Sequence, residues 1–142
     1  MIDRGFEILP HTTDMRLKVW GKTLEELFRS ALRGMVSYWK PEALEKNKRE
    51  FKEKKEIKIK APDLTSLLIE FLSKTIAQTD ILNTVFADVS FREFGENFLE
   101  GDLHGLKVDG LEKDIKAVSF QEVDIKKNPE TGLYETVLVF DI

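Results

Sequence analysis

The chain has 142 residues, 42% of them hydrophobic and 34% charged, with a net charge of −4, which is enough apolar material for one buried core. It has no cysteine, which excludes a disulfide framework, a thiolate metal site and a cysteine nucleophile. No run of about 18 apolar residues is available to span a bilayer, and the opening MIDRGFEILP lacks a signal peptide's apolar centre, so the expectation is a single cytoplasmic domain over residues 1–142 with no membrane contact.

In chain order, FEIL at residues 6–9 reads as a short strand. A polar interruption, His11, Thr12, Thr13 and Asp14, separates it from MRLKVW, where Met15, Leu17 and Val19 alternate with Arg16 and Lys18 as in a half-buried strand. Gly21 ends that strand. Thr23 is then placed to cap a helix, with Glu26 reaching back to the cap residue's amide in a capping box. Leu24, Leu27, Phe28, Ala31, Leu32, Met35, Val36 and Trp39 recur at three- and four-residue steps, and Pro41 closes the segment. A second helix starts behind Asp63, its core stripe formed by Leu64, Leu67, Leu68, Phe71, Leu72, Thr75 and Ile76.

Between the helices, residues 45–60 carry eight Lys/Arg against four Glu, a local charge of +4 that leaves −8 for the remainder. A solvated hairpin or edge strand, protected from aggregation by its lysines, explains this segment first; a phosphate-touching strip explains it second. From Val85 onward the pattern is β, with GEN and NPETG as turns. In the last strand Leu133, Val137 and Val139 face one way and Tyr134, Leu138 and Phe140 the other, which places it centrally in a sheet. The expected fold is α+β: a two-layer sandwich in which a mixed or mostly antiparallel sheet of six or seven strands is covered on one face by two amphipathic helices.

The chemical motifs are few. There is no phosphate-binding glycine loop and no G-x-G-x-x-G after a strand, which argues against a self-contained nucleotide enzyme. His11 and His104 lie on different elements, so neither a two-histidine zinc helix nor a nucleophile elbow is present. What remains is a pair of acidic residues at strand ends, Asp14 and Asp141. Oxygen ligands at such positions suit a hard cation, and a carbonyl or carboxylate at Ile142 is available to join them. The competing reading of Asp14 is a turn residue bonding neighbouring amides.

The residues EILPHTTDMRLKVWGKTLEELFRSALRGM at 7–35 resemble the archease family's E-x-x-x-H-T-A-D opening with its glycine and L-E-E-L-F helix. The likeness returns at LTSLLIEFLSKTI (64–76), IKAVSF (115–120) and VLVFDI (137–142). That resemblance implies a non-enzymatic cofactor protein of the GTP-dependent RNA ligase that joins tRNA halves. By the same resemblance it is expected to promote guanylylation of the ligase's catalytic subunit and its multiple turnover. It also implies a divalent ion, Ca²⁺ in preference to Mg²⁺, held by Asp14, Asp141 and Ile142, with His11 a motif residue beside them. The chain departs from the family pattern at Thr13 for alanine, Met15 for isoleucine and Gln121 for a histidine, and the upstream Arg-His pair is absent from HGLKVDGLEKD. The alternative function is a tRNA-binding adaptor that places Lys46, Lys48, Arg49, Lys52, Lys54 and Lys55 on phosphate.

Overall fold

The computed structural model describes residues 3–10, 13–111 and 113–142. Eight strands and two α-helices follow in the order β1 (Arg4–Leu9), β2 (Met15–Gly21), α1 (Leu24–Trp39), β3 (Glu53–Lys60), α2 (Leu64–Leu82), β4 (Thr84–Phe94), β5 (Phe98–Lys107), β6 (Ala117–Ser119), β7 (Lys126–Lys127) and β8 (Tyr134–Asp141). Two short 3₁₀ turns, Pro41–Glu45 and Lys48–Glu50, carry the chain from α1 to β3.

The α+β class read from the pattern is the observed one, but the expected single sheet is divided into two. One runs β1-β2-β8-β6, with β7 also on β8, and the other runs β3-β5-β4. Every pairing among the described residues is antiparallel. The expected covering of one sheet face is replaced by a shared arrangement, in which α1 packs on β1 and β2 as well as β4, and α2 packs on β3 and β4 as well as β6. The reason is topological. β4 and β5 pair as a hairpin and β3 joins β5 across α2 and β4, whereas β2 finds its second partner in β8, more than a hundred residues away, and a sequence pattern does not encode such pairings.

The local signals behave largely as their chemistry demands. Thr23 is extended and its hydroxyl accepts from the Glu26 amide at 3.1 Å, so the N-cap forms. The reciprocal half of the capping box does not, because the Glu26 carboxylate turns outward to Arg4 at 2.7 Å and Arg29 at 2.9 Å. Two charge-assisted contacts outweigh one to an amide. Gly21 permits the tight passage from β2 into α1, since a Cβ there would lie 2.5 Å from the Leu27 nitrogen. Asp63 caps α2 through the Ser66 amide at 2.7 Å, and Asn83 ends the helix in the left-handed region at φ 48°.

β8 is central as its two-faced pattern requires: β2 lies on one side, β6 and β7 on the other, and Leu138, Val139 and Phe140 are buried. One hydrophobic cluster joins both helices to both sheets. Within it Phe28 of α1, Phe71 of α2, and Phe91 and Phe94 of β4 form a ring-to-ring chain, with centroid separations from 4.9 to 5.9 Å. The basic segment ends in β3, the edge strand of the smaller sheet, where Lys54, Lys58 and Lys60 point to solvent and Ile57 and Ile59 to the core. Charged side chains on such an edge discourage pairing with other chains.

Candidate functional site

The β2–β8 register decides the geometry of the acidic strand ends. Met15 faces Phe140 in the last pair of the ladder, so Asp14 and Asp141, 127 positions apart in the chain, each follow directly at that end. On the other side of β8, Asp141 faces Ala117 of β6, and its carbonyl accepts from the Lys116 amide at 2.8 Å. Asp14 is half-buried and Asp141 exposed, and neither side chain has a hydrogen-bond or ion-pair partner among the described residues. Ile142 follows directly and packs against the core. Carboxylate oxygens are the donor type a hard cation accepts. Among the described residues, no group of three or more His, Asp or Glu side chains gathers here or elsewhere. A cation at this end would therefore rely on backbone and water oxygens for most of its coordination. His11 lies outside the described residues.

A bidentate ion pair flanks this end. Arg16 reaches Glu122 through Nε at 3.0 Å and Nη2 at 2.7 Å, tying β2 to the turn after β6. The hydrogen bond from Arg16 holds the Glu122 carboxyl below its ordinary range, and the same bond raises the Arg16 guanidinium, with a smaller pull from Asp14. Glu122 adopts a left-handed φ of 66°, and the preceding Gln121 amide is held by the Ser119 hydroxyl at 2.9 Å. Gln121 is therefore at the exposed tip of a turn pinned over β2. Sequence reading passed over this pair because Arg16 looked like an ordinary outward strand residue, and the turn that delivers Glu122 had no register until β8 was placed.

The basic residues scatter. Lys46 follows the first 3₁₀ turn, Lys48 and Arg49 lie in the second, Lys52 precedes β3, and Lys54 and Lys55 lie on it; all are exposed except half-buried Lys55. Lys48 alone turns inward, its Nζ 3.3 Å from the Ser90 hydroxyl, which in turn lies 2.8 Å from Nε2 of His104. Burial, helped by Lys48, pushes His104 below the usual histidine value. Lys48 also borders a cleft of about 560 Å³ formed by the start of β1, the flank of α1 and Asp88 of β4. This cleft lies at the Gly21 end of β2, opposite the Asp14 end, because Arg4 pairs with Gly21.

The model of the Archease protein family (MTH1598/TM1083) matches residues 6–142. The chain belongs to the archease family. Among archeases, the protein from Methanosarcina barkeri is 30% identical over 135 residues, covering 89% of this chain and 90% of that one. The solution structure of Methanobacterium thermoautotrophicum protein 1598 superposes with a TM-score of 0.71 at 25% identity, covering 97% of this chain and 99% of that one. The crystal structure of an archease from Thermotoga maritima, described as a possible chaperone, shares the fold with a TM-score of 0.62 at 16% identity, covering 96% of each chain. No helix among the described residues is long and apolar enough to cross a membrane.

Proposed function

We propose that this archease is a non-catalytic helper of the GTP-dependent tRNA-splicing RNA ligase. It promotes guanylylation of the ligase's catalytic subunit and repeated turnover in tRNA processing. The observation that carries the reading is family membership over residues 6–142, which includes both the HTTD segment and the terminal VFDI. The β2–β8 register, which ends next to Asp14 and Asp141, supports the second half of the proposal, a divalent-cation site formed by Asp14, Asp141 and Ile142, with Ca²⁺ the preferred ion. A cation held there supplies positive charge opposite nucleotide phosphate when the two proteins meet. The chain's own part is to present two carboxylates, Asp14 just before β2 and Asp141 at the end of β8, with the Lys116 amide anchoring the Asp141 backbone and the Arg16–Glu122 pair fixing the neighbouring turn.

The test is ligase turnover on tRNA halves with wild-type protein, Asp14→Asn and Asp141→Asn, each shown to be folded by circular dichroism. The expected outcome is many turnovers per ligase with wild type and a return to about one with either variant, together with loss of Ca²⁺ binding by calorimetry. Turnover that wild-type protein does not raise would remove the helper role; variants that stimulate fully would remove the two aspartates from it.

A further inference from the structure

The cleft at the Gly21 end of β2 is lined by more cationic than anionic side chains. Arg4, Arg29, Arg33 and Lys48 line it, with Asp88 as the one carboxylate on its wall. The carboxylates within reach are already committed. Glu26 bridges Arg4 at 2.7 Å and Arg29 at 2.9 Å, and Asp88 lies 3.2 Å from Nε of Arg29 while accepting from the Val89 amide at 2.8 Å. Arg33 has no ion pair or hydrogen bond among the described residues, though it is half-buried. Among the described residues, the hydrogen-bond partner of Lys48 is the neutral Ser90 hydroxyl. Arg33 and Lys48 thus face one cavity with no ion-pair partner among the described residues, in a chain whose net charge is −4.

The fold holds these groups in place. Arg29 is fixed by Glu26, Asp88 and the Val89 carbonyl at 3.0 Å, so it forms a rigid wall. The irregularity of β4 between Phe86 and Asp88 turns Asp88 to this side. One turn along α1 from Arg29, Arg33 projects into the same space, with Ser30 between them as a hydroxyl donor. A guanidinium fork is matched to phosphate oxygens, a flexible ammonium adds a point charge, and a volume of about 560 Å³ is that of a small-ligand pocket.

We propose that this cleft binds the phosphate end of a small phosphorylated ligand, with Arg33 and Lys48 as the recognising cations and Arg29 as the positioned wall. It is independent of the Asp14–Asp141 end, from which the five to seven residues of chain between Asp14 and Val19–Gly21 separate it by roughly 16–23 Å.

Inorganic pyrophosphate is the probe, titrated calorimetrically into the full chain at low ionic strength with EDTA present, so that no divalent cation at the acidic end can bridge the anion. Wild-type protein is expected to bind. Arg33→Gln and Lys48→Gln are each expected to weaken binding by about tenfold or more, the size of one lost charge-assisted contact, whereas Lys60→Gln on the outer edge of β3 should leave it unchanged. Circular dichroism and melting confirm that each variant is folded, and Lys48→Gln carries the test if Arg33→Gln is not. Absence of binding at millimolar pyrophosphate overturns the proposal, as do both variants binding like wild type. Binding of a single-stranded RNA 12-mer where pyrophosphate fails would equally overturn it, since the cleft would then be part of a polynucleotide track.

Discussion

Replacing Gly34 by alanine sets two opposed effects against each other inside one helix. Alanine is worth about 1 kcal/mol over glycine in a helix interior because it restricts the unfolded chain and covers the backbone. The added methyl, however, would lie 2.6 and 2.9 Å from the two δ carbons of Leu17 and 3.1 Å from Cβ of Phe6. Leu17 is fully buried on β2, so turning one δ methyl away drives the other into its neighbours. Overpacking of this kind costs about 1–3 kcal/mol, and contact with both methyls puts Gly34 in the upper half of that range. The net expectation is a loss of about 1–2 kcal/mol, or about 3–6 °C in melting temperature for a chain of this length. Thermal and urea melts of Gly34→Ala, Leu17→Val and the double variant measure it. Leu17→Val relieves the clash, so the double variant should be more stable than the sum of the singles by about 0.5 kcal/mol or more. Gly110→Ala is the control, since a Cβ there meets nothing within 4 Å. A Gly34→Ala protein melting at or above wild type would show that α1 shifts freely on β2 and refute the close-packing argument.

Two further outcomes follow from the geometry. Thr23→Ala should cost about 1 kcal/mol by leaving the Glu26 amide unpaired, while Thr23→Gly should cost less than alanine, because glycine adopts the cap conformation and leaves the amide open to water; equal melting of all three proteins would show that the cap is not used. Burial holds His104 below the ordinary histidine value, so below about pH 6.5 the unfolded chain binds more protons than the folded one. Stability contributed by neutral His104 is therefore present above that pH and is lost as pH falls through the folded-state value. Urea midpoints measured from pH 7.5 to 5.5 should decline in wild type and decline less in His104→Gln; identical slopes would rule the residue out as a source.

The chain by itself determined the local elements, because their causes are local. Both helices start behind their caps, α1 ends before Pro41, and the apolar stripe of each faces the core, since capping, proline geometry and a 3.6-residue period act within a few residues. The two-faced pattern of β8 likewise made its central place legible, and the HTTD and VFDI segments made the family legible. The tertiary structure alone decided which remote segments meet. Division into two sheets, the antiparallel seating of β8 against β2 that brings the Asp14 and Asp141 ends of the two segments together, the reach of Glu122 to Arg16, and the gathering of Arg4, Arg33 and Lys48 around one cleft all depend on pairings between distant parts of the chain. No residue pattern announces these meetings, because the free energy that selects them is that of the whole core closing at once, and each partner taken alone is an ordinary charged residue on an ordinary strand or helix.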